Sequence, residues 1–533
     1  MLHPIRRRSS MKTRSAALFI AGFALARAAA FGQMPPDAEI RKILVDRLGS
    51  ENLGVGIVVG VMDANGRRVV SHGSLAKNDD RRLDANTVFE IGSITKVFTS
   101  LLLMDMTRRG QVALTDPVAK FLPAGVTVPE RNKRKITLAD LSTQSSGLPG
   151  LIPNVTSKDP DNPFADYSVP QLYDFLSTYQ LTRDIGSQYE YSNVGVGLLG
   201  HALSLRAGMG YEELVRSRIC DPLGMADTRV TLTPDMKSRL AAGHNAAVGQ
   251  TANWDLPTLA GAGALRSTAN DMLVFLAASL GYTKSGYTGT PLAQAMADEV
   301  SIRRPAGAPD MEIAYGWHIQ TKDGNSIIWH NGGTGGYRSY LGYDPKARTG
   351  VVVLTNFSND AGVDDIGRHL LNASYPLLKI PLPVERQQIT LDTKTLDRYV
   401  GMYQLAPGAL LTVSRDGEHF YTQLVYTQGG GQPKLEALAE TDRKFFLKAV
   451  DAQFTFDVNA RDAATQVILH QNGRDLVAKR ITEAEAEAQA AEAEKRVKAQ
   501  TQSPGTEAAL REMIQGLQLG EPKYEIQARS SPI

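Results

Sequence analysis

What this 533-residue chain lacks narrows its chemistry before any motif is read. It holds one cysteine, Cys220. That excludes an internal disulfide and a cysteine-rich metal site, and leaves Cys220 to be read as a small buried hydrophobe. Charge of one sign is also missing: 58 Lys and Arg against 56 Asp and Glu give a formal net charge of +2. With no basic block interleaved with aromatics, no nucleic-acid partner is expected. Neither G-x-S-x-G nor H-E-x-x-H occurs, which argues against an α/β-hydrolase and a zincin. Neither a metal nor an organic cofactor is implied. Beyond residue 32, no segment has the length and apolarity of a membrane span.

The N-terminus has a distinct layout. Arg6-Arg7-Arg8, Lys12 and Arg14 precede an apolar run over residues 16–26, and small residues follow at Ala28-Ala29-Ala30. This reads as an export signal over residues 1–32, hence a periplasmic or secreted protein with no other integral membrane association.

Periodicity and turn chemistry set the organisation. Residues 36–49 read as a helix. Apolar runs over 54–62 and 68–70 flank Asp63-Ala64-Asn65-Gly66, a hairpin signal. A stretch rich in Pro, Gly and short helical patterns extends to about residue 310. Near its end Gly261-Ala262-Gly263 leads into Ser267-Thr268-Ala269-Asn270-Asp271, which reads as a helix N-cap with an acidic first turn. Strands return over 313–320, 326–329, 337–343 and 351–355. Strands at both ends with helices between them predict an α+β fold, one antiparallel sheet closed by both termini around a helical insert. Pro381-Leu382-Pro383 marks a boundary, so residues 33–385 are read as one domain. Residues 390–482, with short strands and turns, predict a small all-β barrel or sandwich. Residues 483–533 read as a helical tail, opened by the capping box Thr482-Glu483-Ala484-Glu485.

The chemistry is carried by Ser93-Ile94-Thr95-Lys96. If a helix begins at Ser93, the i, i+3 spacing puts hydroxyl and amine on one face. A neutral lysine can then take the serine proton as the oxygen attacks a carbonyl. The same spacing occurs at Ser9 and Ser74, but Ser9 lies in the leader and Ser74 runs into the polar Asn78-Asp79-Asp80. Only Ser93 opens an apolar, Gly-free run, over 97–104. Tyr191-Ser192-Asn193 is the candidate proton relay, with Asn193 placed to hold Lys96 or a substrate amide. For the strand beside the serine, His330-Asn331-Gly332-Gly333 is chosen over Lys284-Ser285-Gly286 and Lys322-Asp323-Gly324. It ends an apolar strand, and its glycines admit a close backbone approach. Gly195-Val196-Gly197-Leu198-Leu199-Gly200 matches the dinucleotide pattern G-x-G-x-x-G, but no strand-loop-helix unit surrounds it, so it reads as close helix packing.

These three motifs in order, with Leu141-Ser142-Thr143-Gln144-Ser145-Ser146-Gly147-Leu148-Pro149, resemble the class C β-lactamase and penicillin-binding (DD-peptidase-like) serine hydrolase family over residues 36–380. The resemblance implies a β-lactamase/transpeptidase-like fold. It makes Ser93 the nucleophile, Lys96 its base and Tyr191 a proton relay. The N–H groups of Ser93 and Gly333 become the oxyanion hole, and Asn193, His330, Asn331 and Gly332 substrate contacts. The implied substrate is a β-lactam or a D-Ala-D-Ala-type peptide. Residues 391–482 resemble the lipocalin-like domain appended to such hydrolases. Class C β-lactamases usually have lysine and threonine where this chain has His330 and Asn331, and lysine is a permanent charge for a substrate carboxylate whereas histidine is mostly neutral. An esterase, a sensor that deacylates slowly, and a site using His330 as its base remain alternatives.

Overall fold

The computed structural model describes residues 32–488 and 491, apart from 50–54, 283–289, 379–385, 427–433, 448–451 and a few stretches of one or two residues. The proposed leader therefore lies outside the described residues, as do residues 492–533 of the tail. The chain divides into two compact units, Met1–Val384 and Glu385–Ile533.

The first unit is built on one antiparallel sheet. Helix α1 (Asp37–Leu48) leads into β1 (Gly56–Asp63) and β2 (Gly66–Gly73). Their hairpin closes through Ala64-Asn65, with the Asn65 amide donating to Asp63 Oδ1 at 2.8 Å. Helix α2 (Thr95–Arg108), α3 (Asn193–Ala207) and α4 (Ala269–Ser279) belong to the intervening helical region. Six strands then complete the sheet: β3 (Arg304–Pro305), β4 (Met311–Ile313), β5 (His318–Lys322), β6 (Asn325–Gly333), β7 (Arg338–Asp344) and β8 (Thr349–Thr355). The spatial order is β2-β1-β8-β7-β6-β5-β4-β3, so the N-terminal hairpin docks on the last strand. This is the closure by both ends that the strand pattern predicts.

Both faces of the sheet are covered. Ile57, Val59 and Val61 pack with Ile40 and Leu44 of α1, and with Ile366 and Leu370 of helix α5 (Asp364–Leu371). Val58, Leu341, Val352 and Leu354 pack on the other face with Phe98, Leu101 and Leu273. Every residue of β1 is buried, so its sequence is a continuous apolar run rather than an alternation. The expected strand over 313–320 is in fact two, β4 and β5. Gly316 breaks it at φ +73°, where an added Cβ would lie 2.6 Å from Ser100 Oγ.

The second unit is a closed barrel of eight consecutive antiparallel strands, which decides between barrel and sandwich. Its first strand, Gly401–Ala406, pairs back to its last, Arg474–Ile481. Aromatics fill the interior: Tyr399 stacks on Phe456 at 4.5 Å between centroids, and Phe420 lies 4.6 Å from Phe445. The capping box after the barrel forms, with the Thr482 amide donating to Glu485 Oε2 at 2.7 Å.

Candidate active site

The turn that holds Ser93 is set by its neighbours. Gly92–Ile94 is a single 3₁₀ turn, and the α-helix starts at Thr95 rather than at Ser93. A 3₁₀ turn eclipses side chains three apart, which suits a Ser93–Lys96 contact. Gly92 has φ +49°, and a Cβ there would lie 2.7 Å from the Gly333 amide nitrogen. A Cβ on Gly332 would lie 2.0 Å from the Ile91 carbonyl oxygen. Glycine at 92 and 332 is thus how β6 closes on the serine turn. Ser339 ties the two together by donating to the Ile91 carbonyl at 2.9 Å.

Lys96 is fully buried. Its Nζ lies 2.8 Å from each of three oxygens: Ser93 Oγ, Asn193 Oδ1 and the Ala262 carbonyl. Burial lowers its pKa well below the usual lysine value. A neutral amine has two N–H groups and one lone pair. Asn193 Oδ1 and the Ala262 carbonyl can only accept, so they take both N–H groups and the lone pair is left for Ser93. As an ammonium Lys96 donates to all three oxygens; once neutral, it accepts from the Ser93 hydroxyl.

Asn193 is the first residue of α3, and its position is fixed from the Leu141-to-Pro149 segment. The Ser192 amide donates to Gln144 Oε1 at 2.8 Å, and the Ser192 hydroxyl donates to the Pro149 carbonyl at 2.7 Å. Ser192 also caps α3, accepting from the Gly195 amide at 2.9 Å. Ala262 belongs to the short helix Ala260–Gly263, on which α3 packs tightly. A Cβ on Gly200 would meet Gly261 Cα at 2.9 Å, and one on Gly197 would meet Leu259 at 2.6 Å. The glycine pattern of 195–200 is therefore a helix-packing device.

Tyr191 precedes that cap and is partly exposed. Its ring centroid lies 4.7 Å from Lys96 Nζ. Burial of the hydroxyl pushes the phenol pKa well up, opposed in part by the Ser93 hydroxyl, so Tyr191 stays protonated.

The strand motif is not an edge strand throughout. β6 pairs with β5 only as far as Trp329, opposite His318, while β7 pairs with it through Gly333. Residues 330–333 are thus a local edge inside the sheet. His330 is buried, its Nδ1 lying 2.6 Å from the Asn331 carbonyl, and its ring is 6.2 Å from that of Tyr191. Burial, with His318 and Lys96 nearby, holds its pKa well below the ordinary value. A neutral, buried ring does not offer the cation that a lysine would. Asn331 needs a correction: its amide donates to Asp364 Oδ2 of α5 at 2.7 Å, so its side chain is not among the groups around Ser93. Successive strand residues point to opposite faces, and Asn331 follows Trp329 rather than His330.

Three participants escaped the sequence reading. The Ala262 carbonyl had a signal, since small residues at 261–263 permit a close approach. Gln144 lay inside a noted segment without an assigned part. His318 had none: its ring sits 5.1 Å from His330, and its Nε2 bonds the Tyr189 hydroxyl at 2.9 Å. Among the described residues, no group of three or more His, Cys, Asp or Glu is placed to hold a metal ion, and Cys220 is buried and free.

Known proteins share this framework. Residues 45–373 match the family model described as Beta-lactamase, and residues 385–491 match one described as a domain of unknown function (DUF3471). The chain is 31% identical over 351 residues to the D-alanyl-D-alanine-carboxypeptidase/endopeptidase AmpH of Escherichia coli (strain K12), covering 62% of this chain and 89% of that one. It is 27% identical over 317 residues to a β-lactamase of the same organism, covering 52% and 78%. Among solved structures, a β-lactamase/D-alanine carboxypeptidase from Yersinia pestis superposes with a TM-score of 0.55 at 27% identity, covering 64% of this chain and 99% of that one.

Proposed function

The chain belongs to the β-lactamase family of serine hydrolases, and from that premise we propose that it is an exported enzyme forming an acyl-enzyme on Ser93. The acyl donors are D-Ala-D-Ala-type peptides or β-lactams, the chemistry for which AmpH and the β-lactamase relatives are named. The observation that carries this reading is the 2.8 Å approach of Lys96 Nζ to Ser93 Oγ, in a fully buried position that it shares with Asn193 Oδ1 and the Ala262 carbonyl.

The reaction follows from those positions. As Ser93 Oγ bonds to the substrate carbonyl carbon, its proton passes to Lys96. The carbonyl oxygen takes the displaced electron pair and is received by the N–H groups of Ser93 and Gly333, on two backbone segments in contact. Collapse of that oxyanion breaks the bond to the leaving nitrogen, which takes its proton from the Tyr191 hydroxyl. Lys96 returns a proton to Tyr191. Water then cleaves the ester on Ser93 by the reverse sequence of proton transfers. The neutral His330 favours a second reading, an esterase with the same site, because no carboxylate is then required.

Intact-protein mass after mixing with benzylpenicillin and with an acyl-D-Ala-D-Ala peptide, followed from seconds to hours, tests the reading. An adduct on wild type that Ser93→Ala lacks is the expected result. An adduct on the Ser93→Ala variant, or none on wild type with either compound or with their uncharged derivatives, overturns it. Cleavage of the leader on secretion tests export separately.

A further inference from the structure

Of the three oxygens around Lys96, the Ala262 carbonyl is the one carried by a short, glycine-rich turn. The helix Ala260–Gly263 has four residues and no side-chain cap, and Gly261 and Gly263 have no side chain to anchor it. Helix α2 anchors it instead. The Leu265 amide donates to Thr95 Oγ1 at 3.2 Å, and Thr99 Oγ1 lies 2.7 Å from the Gly261 carbonyl. Thr95 and Thr99 share one face of α2 at i, i+4 spacing, and both are buried. They hold the segment on either side of Ala262. A Cβ on Gly261 would lie 3.1 Å from Thr99 Oγ1 and 3.0 Å from Gly200 Cα, so the turn is pressed between α2 and α3.

Donor count fixes the direction of the hydrogen bonds at Thr99. Its hydroxyl has one hydrogen, and the two carbonyls in reach, Gly261 at 2.7 Å and Thr95 at 3.3 Å, can only accept. The Tyr211 hydroxyl, 2.7 Å from Thr99 Oγ1, is therefore the donor to it. Burial pushes the Tyr211 phenol pKa well above its ordinary value, which keeps that hydrogen in place. The result is a buried, uncharged chain from Tyr211 through Thr99 to Gly261, the residue before Ala262. Each link polarises the next.

Resting on the acyl-enzyme reading above, we propose that Thr99 and Tyr211 are positioning residues for the general base. They hold the Ala262 carbonyl where it takes one N–H of neutral Lys96, which leaves the lone pair for the Ser93 hydroxyl. When that carbonyl recedes, the freed N–H turns to the next acceptor, Ser93 Oγ. The serine proton then faces a donor instead of a lone pair, and its transfer slows.

The test uses Thr99→Val in the full-length protein, which removes the hydroxyl and keeps the branched shape. Acylation by benzylpenicillin is followed by intact mass over a range of concentration and pH. The limiting acylation rate is expected to fall about tenfold, the effect of one lost buried hydrogen bond, with the Kd of the encounter complex unchanged. The acid limb of the pH–rate profile should move down by about one unit, because a carbonyl holds an ammonium more firmly than an amine. Tyr191, His318 and His330 are the titratable groups around Lys96, and the substitution alters none of them. Thr99→Ser keeps the hydroxyl and should restore both rate and limb. Tyr211→Phe should slow acylation about threefold and add nothing to Thr99→Val in the double variant, since both act through one chain.

A wild-type limiting rate in Thr99→Val, a loss confined to Kd, an unmoved acid limb or no rescue by serine overturns the proposal. A merely structural role would lower Tm and adduct yield and leave the rate per competent molecule alone. If Thr99→Val does not fold, Tyr211→Phe decides by the same rate and pH readouts. Equal acylation rates in all variants defeat this inference alone; a wild type that forms no adduct removes the acyl-enzyme reading as well.

Discussion

The two units of this chain bury opposite kinds of group. In the barrel, the buried interior is aromatic and aliphatic, and its only buried polar side chains among the described residues are Thr395 and Thr422. In the first unit Lys96, Glu90, Arg266, Glu299, Asp140 and His330 are all buried. A packed apolar interior tolerates exchange of one hydrophobe for another, whereas a buried charge or amine is held by particular partners. Glu90, two residues before Gly92, shows this. Its Oε1 accepts from Arg266 at 3.1 Å and from the Trp254 amide at 3.0 Å, so the strand entering the Ser93 turn is fixed by a buried ion pair. The difference teaches where to look for chemistry. Polar groups retained against the cost of burial belong to the first unit, Lys96 beside Ser93 among them, and among the described residues the barrel interior holds no comparable set.

The sharpest way to break the contrast is Lys96→Met, which puts a barrel-like residue into the site. Acylation should slow by about 10²–10⁴-fold. Stability should respond with a definite sign. Folded Lys96 binds its proton less tightly than unfolded lysine, so the unfolded chain holds more protons between the folded pKa and the ordinary value of 10.5. Wild-type stability therefore rises with pH across that window, and the methionine variant lacks this contribution. The Tm of the variant minus that of wild type should grow as pH is lowered from about 10 to about 7. A pH-independent difference would mean that Lys96 is charged when folded.

Next in size is Arg266→Met. It strands Glu90 in the interior and should cost about 3–5 kcal/mol, measured by denaturant unfolding. Adding Glu90→Gln should recover part of that loss, and simple additivity of the two would remove the ion pair as the cause. The smallest effect is expected from Phe456→Leu in the barrel: about 1 kcal/mol of stability, and no change in the acylation rate. A loss of several kcal/mol there would mean the barrel interior is as specific as the site, and the comparison would fail.

The strand pattern was legible because its signals are local. β1 and β2 announce themselves by an apolar run and a hairpin turn, and the cap at Thr268 by its spacing to Asp271, whose amide donates to it at 3.2 Å. The break between β4 and β5 was not legible, since Gly316 acquires its meaning only from Ser100 pressing against it. Asn331 was misplaced for a related reason. Motif adjacency suggests two neighbouring contacts, while strand geometry sends alternate side chains to opposite faces.

The sequence by itself determined the fold class and the pairing of Ser93 with Lys96, because three-residue spacing and apolar periodicity are properties of a short segment, while the family was legible as a resemblance carried by several separated motifs. Tertiary structure alone decided what that lysine can do. Its other two partners lie 97 and 166 residues away, at Asn193 and Ala262. Only packing brings them within 2.8 Å and buries the amine completely. Hydrogen-bond capacity and burial are properties of the assembled interior, and no local pattern encodes them.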